Sequence, residues 1–87
     1  MDTMKIKFEK IENLLNEIIT LITIELGNNP YEDIDKAKRI VSQKNFNQTN
    51  LLIKKLDNFT MLLYNRRLNN AKIIIGKLSE VYSIIND

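Results

Sequence analysis

Across residues 4–26 the apolar positions Phe8, Ile11, Leu15, Ile18 and Ile22 recur at steps of 3, 4, 3 and 4. That spacing puts them on one face of a helix, whereas a half-buried strand would alternate. Leu14 and Leu21 widen the stripe, and Thr20, Thr23 and several isoleucines weaken helix propensity toward its end. Gly27 suits the left-handed residue that closes a helix, with Asn28 after it. A second helix is predicted to open at Asn29 as N-cap. Pro30 would take the first helical position, Glu32 would complete a capping box, and Asp33 would favour the positive helix end. Tyr31, Ile34, Lys38 and Val41 share its inner face beside Ala37, and it should end near Ser42 or Lys44. Only Lys38 is polar there, and its stem can cover apolar surface.

The stretch KNFNQTN leads into a third run, with Asn47 or Thr49 as candidate cap. Leu52, Leu56, Phe59 and Leu63 step by 4, 3 and 4, opposite Lys54, Lys55, Asp57 and Asn58. This run should end near Arg66 or Arg67. The fourth starts after Asn69 or Asn70 and places Ala71, Ile74, Leu78, Val81 and Ile85 inward, flanked by Ile75 and Tyr82. Gly76 within it costs about 1 kcal/mol against alanine, and close approach of a neighbouring helix is its expected return. The pattern favours a break at NRRLNN. A continuous helix is the alternative, since only the asparagines there resist it. Four amphipathic runs with short links predict an all-α fold, an antiparallel four-helix bundle in one domain spanning residues 1–87.

Composition narrows the chemistry. The chain has 87 residues, 44% apolar and 28% charged, enough for one modest core. It has no cysteine and no histidine, which removes the thiolate, the commonest general base and the commonest zinc ligands. The carboxylates show no calcium-loop spacing, and Gly27 and Gly76 stand alone, so no phosphate loop is present. Glu32, Asp33 and Asp35 are close enough to work as an acid–base pair, but a helix start accounts for them better. The expectation is a protein that is not an enzyme and has no cofactor, no metal and no small-molecule substrate. No run of 18 apolar residues exists, and Glu9, Glu12, Glu17 and Glu25 interrupt the first run, unlike a signal peptide. A cytosolic location follows as an expectation.

The net charge of +2 conceals an asymmetry. Residues 1–35 carry three basic and eight acidic side chains, residues 36–77 ten basic and one acidic, and residues 78–87 two acidic. One face should therefore be electropositive. Three readings compete for the basic segment. It could be a solvated face, with Arg66 and Arg67 in a last helical turn complementing the dipole. It could bind nucleic acid, the weaker candidate, with Asn47, Gln48, Asn50, Lys54 and Lys55 on the second helix of a helix-turn-helix. It could meet a protein partner near the inner membrane face, where anionic lipids attract cations. On the fourth helix Ile73, Lys77, Glu80 and Ile84 lie opposite the core stripe, so Ile73 and Ile84 are expected to be exposed as a contact surface.

The stretch LLIKKLDNFTMLLYNRRLNNAKIIIGKLSEVY resembles the second half of the enterocin A immunity family, which protects producers of pediocin-like bacteriocins. The resemblance rests on Leu52-Ile53-Lys54-Lys55-Leu56-Asp57-Asn58-Phe59 entering helix three and Leu78-Ser79-Glu80-Val81 in helix four. Between them Tyr64, Arg66 and Arg67 fall where the family tends to carry an aromatic and basic residues. It covers residues 50–82 by residue, and the first half by layout alone. It implies a small cytosolic antiparallel four-helix bundle without enzymatic activity. Such a protein would engage, from inside the cell, the mannose phosphotransferase permease occupied by bacteriocin. The family's toxin specificity is attributed to the C-terminal half with a tail after helix four. This sequence ends at Asp87, so the resemblance does not name the toxin. On that reading Arg66, Arg67, Lys72, Ile73, Lys77 and Ile84 are the expected partner contacts. A phage or plasmid DNA-binding regulator, or a helical adaptor or inhibitor that dimerises through Ile73 and Ile84, are the alternatives.

Overall fold

The computed structural model describes residues 3–87; Met1 and Asp2 lie outside the described residues. Four helices follow one another: α1 (Thr3–Leu26), α2 (Glu32–Ser42), α3 (Thr49–Tyr64) and α4 (Ala71–Asn86), with a 3₁₀ turn at Phe46–Gln48 before α3. They form an antiparallel bundle of about 39 × 19 × 19 Å. Pairings along its length set the directions. Ser42 Oγ donates to Glu12, Lys55 pairs with Asp33, Lys77 pairs with Glu17, and Tyr82 Oη donates to Asp57. Lys7 Nζ also donates to the Asp87 main-chain oxygen, joining the start of α1 to the end of α4. Helix α1 packs against α2 on one side and α4 on the other, and α3 closes against α2. That leaves α2 and α4 diagonal to each other.

The apolar stripes form the core. Phe8, Ile11, Leu15, Ile18 and Ile22 of α1 are buried, as are Leu52, Leu56, Phe59 and Leu63 of α3 and Ile74, Leu78 and Val81 of α4. Ala71 and Ile85 are half-buried against them. Helix α2 contributes Ile34, Ala37, Ile40 and Val41. Each such side chain stabilises the fold by about 1.5–3 kcal/mol before its entropy loss. Helix α2, at 11 residues, is about 16 Å long, and cannot cover α1, which is about 36 Å. Aromatic residues outside α2 make up the difference. Phe46 meets Phe8 edge-on at 4.9 Å, and Tyr31 meets Phe59 edge-on at 5.3 Å. The ring of Tyr31 is buried, and its hydroxyl has no hydrogen-bond partner among the described residues.

Several helix ends differ from the expectation. Gly27 does close α1, at φ 82°, donating to the Thr23 carbonyl at 2.8 Å. Helix α2, however, starts at Glu32 and not at Pro30. Asn29 Oδ1 accepts from the Tyr31 N–H at 3.1 Å while its Nδ2 donates to Asp35 at 3.0 Å. This side-chain turn holds Tyr31 extended so that its ring enters the core. Asn47 lies in the 3₁₀ turn and caps nothing; Thr49 Oγ1 donates to the Phe46 carbonyl at 2.9 Å. Helices α3 and α4 are separate, with α3 ending at Tyr64, so Arg66 and Arg67 stand beyond its last turn. Gly76 is exposed, and a Cβ there would meet nothing within 4 Å. No neighbouring helix requires it.

Candidate functional site

The turn between α3 and α4 is held from within and from across the bundle. Leu68 is buried in the middle of the turn, anchoring it to the core. The Glu25 carboxylate, in the last turn of α1, accepts from the Asn69 N–H at 2.7 Å and from the Asn70 N–H at 3.1 Å. A carboxylate on main-chain donors at a helix start satisfies two of them and suits the positive dipole end. Asn69 and Asn70 both read as plausible caps from sequence; Asn70 takes the cap position and makes no side-chain capping bond. With the turn fixed this way, Arg66 and Arg67 are exposed, and neither has an ion-pair partner among the described residues. Lys72 is exposed in the first turn of α4.

Ile73 lies beside these cations and is 53% exposed. It forms one wall of an open groove of about 490 Å³ between α1 and α4, with Thr20, Leu21 and Lys77. Lys77 is held by Glu17 at 3.0 Å in a partly exposed ion pair, so it is the least available of the expected contacts. Ile84 does not fit the expected exposed stripe. It is half-buried and packs on the core, and it sits about 16 Å along α4 from Ile73. Ile84 therefore lies apart toward the other end of the helix, Lys77 lines the groove beside Ile73 but is engaged by Glu17, and Arg66, Arg67, Lys72 and Ile73 are exposed in the turn and the first turn of α4.

Sequence reasoning missed other exposed apolar residues at that end. Ile24, Met61 and Tyr64 are 73%, 67% and 68% exposed. Their signal was present: Ile24 follows Glu17 and Thr20 on the polar face of α1, and Met61 and Tyr64 follow Lys54 and Asp57 on that of α3. Apolar residues at polar-face positions have nothing to pack on unless a partner covers them.

The nucleic-acid candidates occupy a different place. Lys36, Arg39 and Lys55 edge an open cleft of about 230 Å³ over Ile40 and Leu51. Asn47 and Gln48 lie in the 3₁₀ turn, ahead of α3. Helices α2 and α3 run antiparallel side by side, with Lys55 3.8 Å from Asp33, which is not the steep crossing of a helix-turn-helix. Among the described residues no group of carboxylates is arranged to hold a metal ion, and no helix is long and apolar enough to cross a membrane. Among the described residues, burial and the hydrogen bond to Asp57 push the Tyr82 phenol up to about 12. That pair joins α3 to α4 and serves the fold. Comparison with protein families, with curated proteins and with solved structures returns no match.

Proposed function

We propose that this chain is a bacteriocin immunity protein that acts without catalysis, from the cytosolic side of the membrane. Its partner would be the toxin-occupied mannose phosphotransferase permease, engaged through the turn between α3 and α4. The antiparallel bundle is the fold that the resemblance of residues 50–82 implies. The observation that carries the reading is the exposure of Arg66, Arg67, Lys72 and Ile73 together in the turn between α3 and α4 and the first turn of α4. An exposed apolar residue in the same short segment as three cations suits a protein partner set in an anionic membrane surface. Expression in a sensitive lactic acid bacterium, challenged with a panel of pediocin-like toxins, tests it. Protection against one or two toxins is expected, with the toxins left fully active when mixed with the purified protein. Unchanged sensitivity across the panel, with soluble and abundant protein, would overturn it. Salt-dependent DNA binding by the same protein would then favour the regulatory reading.

A further inference from the structure

We infer that the corner around the start of α4 docks directly on an anionic phospholipid bilayer. Ile24, Tyr64 and Ile73 enter the interface, and Arg66, Arg67 and Lys72 hold lipid phosphates. The carrying observation is where the exposed apolar surface lies. Seven large apolar side chains are exposed among the described residues. Five of them, Ile24, Met61, Leu62, Tyr64 and Ile73, fall in the last turn of α1, the last turn of α3 or the first turn of α4. In an antiparallel bundle those turns share one end. The remaining two, Ile6 at 36% and Leu51 at 40%, lie at the opposite end and are the least exposed of the seven. Single exposed apolar residues need no explanation, but a concentration at one end does.

The charges select the occupant. Arg66, Arg67 and Lys72 stand among the apolar side chains, with no ion-pair partner among the described residues. The nearest carboxylate, Glu25, is engaged by the N–H groups of Asn69 and Asn70. Met61 and Leu62 share a shallow cleft with Asp33 of the acidic first turn of α2; α2 is the helix diagonal to α4, so an approach centred on α4 turns this cleft and its carboxylates away from the bilayer. The patch spreads over three elements at one end of the bundle, a spread that suits a flat, deformable surface better than a single helix. Tyrosine carries an apolar ring with a polar tip, and cations beside apolar residues are the usual makeup of an interfacial anchor. This contact needs no receptor and no toxin, so it stands or falls apart from the immunity reading.

The test uses purified protein and vesicles of phosphatidylcholine alone or rich in phosphatidylglycerol. Sedimentation with the phosphatidylglycerol vesicles is expected, weakening as salt rises, with at least about tenfold less binding to phosphatidylcholine. Arg66→Glu with Arg67→Glu should lower the binding by at least about tenfold, and Ile73→Ser with Ile24→Ser should lower it too. Circular dichroism checks that each variant stays helical. The chain has no tryptophan, so Tyr64→Trp and Ile6→Trp place single reporters at the two ends. A blue shift on vesicle addition is expected for the first and not for the second. No binding to anionic vesicles at low salt would overturn the proposal. So would equal shifts from both reporters, undiminished binding by the patch variants, or a patch that pairs two copies of the chain and ignores lipid.

Discussion

Two residues occupy backbone positions better suited to each other's side chain. Lys44 sits at φ 54°, in the left-handed region, just after α2. The Asn45 N–H donates to the Ile40 carbonyl at 3.1 Å and the Lys44 N–H to Val41 at 3.2 Å, the paired bonds of a Schellman closure. Glycine favours that position. Gly76 has ordinary helical surroundings and open space beside it. We expect Lys44→Gly and Gly76→Ala each to raise stability by about 0.5–1 kcal/mol in chemical denaturation. A loss at position 76 would mean that a contact there does require glycine. Tyr82 supplies a pH signature. Its phenol is raised from 10.0 to about 12 in the folded protein, so the native state holds that proton more tightly. The contribution is therefore complete below pH 10 and is lost as pH rises through about 12. Tyr82→Phe should remove that component of the alkaline fall in stability, and an unaltered profile would contradict the assignment.

The helices were legible in the sequence where burial repeats locally, and their ends were not. The central stripe residues of α1 and α3 are buried, with Leu14 and Leu21 half-buried at its edge, because a stripe at helical spacing has only one way to meet a core. Ends depend on distant partners. Asn70 reads as a cap, yet the capping group is Glu25, 45 positions away, which no local pattern contains. Asn29 and Glu32 read as a capping box, but the core's demand for the Tyr31 ring moves the helix start to Glu32. Ile84 reads as exposed because periodicity alone cannot say how far α1 wraps around α4. The Glu25 clamp gives a prediction at this scale. Glu25→Ala leaves two main-chain donors without their acceptor and should cost about 1 kcal/mol. Hydrogen exchange at Asn69 and Asn70 should speed up more than in the core helices. Unchanged exchange there would show that Leu68 alone holds the turn.

The whole molecule carries most of its exposed apolar surface at one end, and that end is itself divided in charge. Arg66, Arg67 and Lys72 stand on the side of α4, while the acidic first turn of α2, with Met61 and Leu62 beside Asp33, lies at the diagonal helix. Half of this was readable beforehand, since the basic pair and Ile73 stand out in one dimension. The rest, Ile24 above all, joins that end only when α1 and α3 are brought to it. A stable bundle does not need this arrangement, because none of these side chains contributes to the core. The most direct measurement of the central claim is survival of a toxin-challenged sensitive strain expressing the unaltered chain, Ile73→Asp, or Lys54→Glu, which lies on the outer side of α3. The account predicts protection by the unaltered chain and by Lys54→Glu, and its loss with Ile73→Asp at equal abundance and helicity. Equal protection by all three would contradict the corner as the working surface, and protection by none would contradict the immunity function itself.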